Sequence, residues 1–339
     1  MMKSMRFNIG LNRGEKMEYK FTKYLSSHEF YKDVGRLNRS IEVYQPNKIV
    51  LDFSNTIRID ALVIPNLIIL GRDIRKKTSY IPFIRLGENL NAGYIKKYLF
   101  GINFYKISDE FYYYENDRYS GLDGKKMDPR NTTEYFSKSE GTDVARRRIY
   151  YKLCPFFYKY LKAFSLNKYN SIFLDSYIFE NNIISQFIEE MILNSFDHGK
   201  SDAVITVQAN YKKEKLYLAI SDYGKGFWNS ICSCQDGNGY NVLGRLPQNE
   251  LEGIYVGIYK RKYSKIYGIY NVIRQVIKMH GIFRIHSNDT QLIITERLEE
   301  KFDNETLITL SLDKNPNVIK TAKFPGTHIE IELPFSTRN

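Results

Sequence analysis

Four polar side chains fall on one face of a single helical segment. They are Glu190, Asn194, Asp197 and His198, in the stretch EEMILNSFDHGKSD that runs from Glu189 to Asp202. At ~100° per residue they lie within an arc of about 100°, with Ile184, Ile188, Met191, Ile192 and Ser195 clustered opposite. The solvated face of an ordinary amphipathic helix gives the same pattern. Asn, however, competes for backbone hydrogen bonds and is disfavoured inside helices. Its place beside Glu190 on one stripe points to a metal or phosphate task. A second cluster follows in SDYGKGF, where Asp222, Gly224 and Gly226 come directly after an alternating strand. The strand end fixes the acid, and glycines permit positive φ and close approach of backbone to a ligand. A third is FPGTHIEIELP, where Gly326 and Thr327 open the last strand of the chain.

The elements that must position these residues are legible from periodicity. A helix is expected over roughly 182–198. DAVITVQANY and KLYLAISDYG read as two strands of a hairpin joined by the charged turn KKEK. YNVIRQVIKMH is a helix, and GIFRIHS, TLITLSL and GTHIEIELP are strands. Helices on one face of a mainly antiparallel or mixed sheet fit this order, an α/β two-layer sandwich. Nearer the N-terminus, a strand at Lys48–Phe53, a helix from about Asp60 to Lys76 and a strand at Ile81–Leu86 form a βαβ unit, with Pro65 set to delay or kink the helix. Residues 105–145 are rich in turn formers and read as a linker or mobile loop. The stretch ARRRIYYKLCPFFYKYLKAF reads as helix broken at Pro155.

Composition bounds the function more loosely. With 50 Lys and Arg against 38 acids, the net charge of +12 favours an anionic partner without choosing among nucleotide, nucleic acid and acidic protein. Three cysteines in 339 residues argue against a disulfide framework. Cys232 and Cys234 have no second pair at zinc spacing, so they and Cys154 read as reduced thiols. The first residues lack the apolar segment of a signal peptide. No apolar run approaches the roughly 18 residues of a membrane span. The expected compartment is the cytoplasm, with no membrane partner.

Taken together and in this order, EEMILNSFDHG, DYGKGF and PGTHIEIELP resemble the N box, the first glycine box and the final Gly-Thr strand of the GHKL (Bergerat) ATP-binding fold. That family includes histidine kinases, anti-sigma-factor serine kinases, gyrase-type ATPases and chaperone ATPases. The resemblance covers about residues 177–335 and implies ATP and Mg²⁺ as cofactors. It implies Glu190 as general base and Asn194 as the Mg²⁺ ligand beside the phosphates. His198 would stand near the phosphates. Asp222 would accept from the adenine amino group, Gly224 and Gly226 would close over the base, and Thr327 would line the pocket beside it. The family's second glycine box is only partly present: Gly268 remains in YSKIYGIYNVI, but Ser264 and Ile266 stand where glycines would cradle phosphates. Lys260, Arg261, Lys262 and Lys265 offer side-chain charge instead, so binding is expected with slow turnover.

The segment IVLDFSNTIRIDALVIPNLIILGRDI resembles a STAS-type module over about residues 20–105, but Asp60 is followed by Ala61, Leu62 and Val63 rather than a phospho-acceptor serine. The expected organisation is a STAS-like α/β domain at 18–105, a linker with connecting helices at 106–176 and the GHKL domain at 177–335. The resemblances imply an ATP-binding regulator, binding ATP or ADP and controlling a protein partner through its N-terminal module, and capable of serine/threonine kinase activity of the anti-sigma kind. Histidine kinase activity is disfavoured, because His28-Glu29 lacks the Pro that follows a phospho-acceptor histidine. Two alternatives stand beside it: a catalytically inactive interaction module of the same fold, and a nucleic-acid-linked ATPase resting on net charge alone.

Overall fold

Alternation along one strand organises the molecule. In KLYLAISD, Leu216, Leu218 and Ile220 bury into one core and Tyr217 and Ala219 into another. Successive side chains of a strand point to opposite faces, so this strand belongs to a sheet covered on both sides. The computed structural model describes residues 14–88, 90–122, 124, 126–127, 130–153, 155, 183–210, 212–233, 242–260, 268–303 and 317–334. Among these it is a mixed α/β protein with parallel and antiparallel sheets.

The N-terminal part begins with β1 (Lys16–Lys20), β2 (Tyr24–Leu25) and α1 (Ser27–Tyr44), followed by β3 (Lys48–Asp52) and β4 (Arg58–Ile59). Next come α2 (Ile64–Thr78), β5 (Phe83–Arg85), α3 (Leu90–Gly101), α4 (Phe104–Ser108) and β6 (Tyr113–Tyr114). Strands β1, β3, β5 and β6 form a four-stranded parallel sheet in the order β1-β3-β5-β6. The βαβ unit read from sequence is therefore present. Pro65 sits in the first turn of α2 rather than inside it, where its missing N–H leaves no bond unmade. A short 3₁₀ turn at Ala61–Val63 precedes it.

The second part is built on β7 (Asn131–Phe136), α5 (Thr142–Arg148), α6 (Ile183–Asp197), β8 (Ala203–Asn210), β9 (Lys215–Asp222), α7 (Gly226–Ser233) and α8 (Glu250–Tyr259). It closes with α9 (Ile269–Lys278), β10 (Ile282–Ser287), β11 (Thr290–Thr295), α10 (Glu299–Asp303), β12 (Val318–Lys320) and β13 (Thr327–Pro334). Seven strands pair antiparallel in the order β12-β11-β10-β13-β9-β8-β7. The stretch read as linker thus supplies both an edge strand here, β7, and the edge strand β6 of the parallel sheet. The TLITLSL segment lies outside the described residues, and β11 supplies a strand that periodicity did not single out.

Helices α6, α8 and α9 pack on one face of this sheet, against Ile205, Ile220, Ile329 and Ile331. The N-terminal part covers the other face: Val204, Tyr217, Ala219 and Phe324 join its core of α1, α2 and their strands. The expected two layers are therefore three. Among the described residues no helix is long and apolar enough to cross a membrane.

Candidate active site

The cavity lies between the seven-stranded sheet and the helices on its front face. Helix α6 forms one wall. The two acids that open its motif part company: Glu189 turns outward to Arg146 (Oε1–Nε 2.6 Å) and the Tyr150 hydroxyl (3.2 Å), whereas Glu190 lines the cavity. Asn194 and His198, one and two turns on, line it as well. Asp197 is exposed and takes no part in the lining. The opposite wall comes from the ends of β9 and β13, which contribute Ile220, Asp222, Thr327 and Ile329. Lys260 and Gly268, at the ends of α8 and α9, face the same space. Seven of the eight residues to which the resemblance assigns a role therefore converge on one cavity of about 870 Å³, including space open to solvent. Arg261, Lys262, Ser264, Lys265 and Ile266 lie outside the described residues.

Asp222 is the chemically unusual member. Its carboxylate is buried, with Oδ1 accepting from the backbone N–H of Gly224 (2.6 Å) and of Thr327 (3.2 Å). Among the described residues Oδ2 has only the Ser195 hydroxyl at 3.2 Å, and that hydroxyl is also 2.8 Å from the Met191 carbonyl. One hydroxyl proton cannot serve both. Burial pushes the Asp222 carboxyl up to about 6, against the three hydrogen bonds that favour its ionised form. A carboxylate whose second oxygen is under-served, in a cavity with apolar walls from Met191, Ile231 and Ile269, fits a flat ligand bearing one directed N–H donor.

The glycines serve different ends. Gly226 has φ +76° and closes the turn into α7, a conformation in which L side chains are strained. Gly224 lines a neighbouring groove, not this cavity. Its φ is not positive, and it is required by crowding: a Cβ there would come 2.7 Å from Asp222 Oδ1 and from Gly199 Cα. A buried carboxylate that no motif flagged, Glu250, holds the turn in place. It accepts from the backbone N–H of Phe227 (2.8 Å) and Trp228 (3.2 Å), from the Asn288 amide (2.9 Å) and from the Ser287 hydroxyl.

Compared with known proteins, the chain matches no family model, no curated protein and no solved structure. The chemistry of the site therefore rests on its own geometry. Two other sequence candidates sit apart from the cavity. His28 is exposed on α1, and Glu29 pairs with Lys32 at 2.8 Å. Cys232 is an exposed free thiol, while Cys154 and Cys234 fall outside the described residues.

Proposed function

We propose that the chain is an ATP-binding regulatory protein of the GHKL kind whose nucleotide state controls a protein partner. The observation that carries this reading is Asp222: a buried carboxylate with one oxygen saturated by backbone donors and the other under-served, facing a cavity that Glu190, Asn194 and His198 also line. The exocyclic amine of adenine would supply the missing donor, and the apolar walls would take the ring. Guanine presents a carbonyl at that position, which would meet the carboxylate with repulsion.

Among the described residues no cluster of three or more His, Cys, Asp or Glu side chains could hold a metal ion. Mg²⁺ would accordingly be held by Asn194 together with phosphate oxygens and water, the mode its octahedral preference favours. ATP supplies the transferable phosphoryl group. Glu190 would orient or deprotonate the acceptor, Lys260 would face the phosphates, and His198 would stand at the mouth of the cavity. The same site in a protein that binds without turnover is the second reading, and intrinsic hydrolysis well below the ~1–100 s⁻¹ of kinases suits both.

The deciding experiment is calorimetric titration with ATP, ADP and GTP, with and without Mg²⁺. ATP is expected to bind about 30–150-fold more tightly than GTP, the equivalent of ~2–3 kcal/mol. Asn194→Ala should weaken Mg²⁺-dependent binding while leaving the melting temperature unchanged. Equal affinity for ATP and GTP, or none for either, would remove the adenine assignment.

A further inference from the structure

A second, larger cavity opens behind the glycine turn, between α2 of the N-terminal part and the rim of the seven-stranded sheet. It spans about 2100 Å³, including space open to solvent, and among the described residues shares only Gly199 with the first cavity. Six cations line it: Arg72, Arg75 and Lys76 on α2, Lys200 just past α6, Lys225 in the glycine turn and Lys323 ahead of β13. Among the described residues no carboxylate lines it. Arg72 is committed to Asp202 (2.6 Å), and Lys76 lies 5.2 Å from the Tyr223 ring. Arg75, Lys200, Lys225 and Lys323 are exposed and make no side-chain hydrogen bond or ion pair among the described residues.

Several cations elsewhere are matched: Lys16 and Lys48 with Glu115, Arg85 with Glu18, Arg148 with Glu134 and Glu140, Arg284 with Glu332. What sets this cavity apart is that cations from several segments face one space with no carboxylate among its described lining residues. The C-terminal end of α2 accounts for Arg75 and Lys76, since cations are favoured against the last carbonyls of a helix. It does not account for Lys200, Lys225 and Lys323, which come from three other segments and converge on the same cavity at a cost in mutual repulsion.

We infer that this groove binds the phosphodiester backbone of a nucleic acid, without reading its bases. The uncommitted cations are mostly lysines, which act on phosphate as point charges, and they come from separate segments, as a backbone tracked along a groove requires. Among the described residues the groove offers no free ring for stacking: Phe111 is 8% exposed, and the Tyr223 ring has Arg72 and Lys76 each 5.2 Å from its centroid. Sequence is read by contacts to base edges, and the cations that dominate this lining are placed to meet phosphates instead. The inference is independent of what fills the cavity lined by Asp222, so it is tested without nucleotide.

The test is fluorescence anisotropy with labelled mixed-sequence oligonucleotides of about 20 nucleotides, single-stranded and duplex, across a salt series. With about four to five phosphate contacts, log K should fall against log[salt] with a slope of about −3 to −4.5, and affinity should not depend on sequence. The triple variant Lys200→Ala, Lys225→Ala, Lys323→Ala removes only exposed side chains and should keep the melting temperature. It should flatten the slope by about 2–3 and weaken binding at least ~10-fold in moderate salt. Which oligonucleotide binds more tightly identifies whether single strand or duplex supplies the backbone. Absence of binding at low salt, a slope the triple variant leaves unchanged, strong sequence selectivity, or equally tight binding of polyglutamate would each overturn the inference, the last in favour of an acidic protein segment.

Discussion

Asp222→Asn should make this protein more stable and less able to bind. The carboxylate is buried in the cavity wall, and burial raises it from 3.8 to about 6. A folded-state value above the unfolded one means that ionisation opposes folding. Relative to the protonated group, stability is complete below about pH 4 and is lost as pH rises through about 6. The full loss is about 3 kcal/mol, at ~1.36 kcal/mol per tenfold change in protonation equilibrium. Asparagine keeps the shape, and its amide oxygen can still accept from the N–H groups of Gly224 and Thr327. Its amide nitrogen can donate to Ser195 Oγ, which is then free to donate to the Met191 carbonyl 2.8 Å away. Urea unfolding at about pH 8 should therefore show the variant more stable by up to about 3 kcal/mol, with the gain shrinking to a few tenths near pH 4. The same substitution places a donor where the proposed base also presents one, so ATP affinity should fall at least ~30-fold. In the wild type, ATP binding should weaken as pH drops below about 6, where the carboxylate protonates. A variant that is less stable at pH 8, or that gains equally at both pH values, would refute the account of this carboxylate.

Further outcomes follow from the same physics. Glu330 is 2% exposed, neither of its oxygens finds a hydrogen-bond partner at normal geometry among the described residues, and Arg284 is 4.0 Å away. Burial raises it to about 7 despite relief from Arg284 and Ser27, so Glu330→Gln should add about 2–3 kcal/mol to unfolding at pH 8 or above and nothing near pH 4. Gly226→Ala forces a side chain to φ +76° with its Cβ 2.2 Å from the Asn288 amide nitrogen, and should cost at least about 1 kcal/mol in chemical denaturation. Asn66→Ala strands the buried Ser221 hydroxyl, 2.6 Å from its acceptor, at about 1–3 kcal/mol. A double-mutant cycle with Ser221→Ala should return a coupling near 1 kcal/mol, and simple additivity would count against the contact.

The parts of the site that were legible in the sequence are those where local chemistry and position coincide. An acid at a strand end followed by two glycines located Asp222 and its turn, and the stripe of Glu190, Asn194 and His198 located the facing helix. What stayed hidden depends on distant pairing. Ser195 falls on the apolar side of its helix, and only the approach of β9 gives its hydroxyl a carboxylate to face. Glu250 lies 23 residues beyond Phe227, whose N–H it accepts, and nothing local distinguishes it from other acids at a helix start. The third layer had a sequence signal that the two-layer expectation did not use. KLYLAISD is apolar at both alternate sets of positions, the pattern of a strand buried on both faces. The strands β6 and β7 escaped notice because turn formers surround them, and it is their sheets that hold them in place.

The strand end that carries Asp222 is gripped from behind. The residue before it, Ser221, is tied to Asn66 of α2, and the residue after it, Tyr223, reaches Asp73 of the same helix at 3.1 Å. Arg72, between those two anchors, ties down Asp202 at the start of the neighbouring strand. Two stretches more than a hundred residues apart thus share one structural fate. Residues 177–335 cut away from their companion would bare Val204, Tyr217, Ala219 and Phe324 to water, with an apolar rear prone to self-association. The two halves are not interchangeable beads on a string, and whatever engages α2 is one hydrogen bond from the segment that carries Asp222.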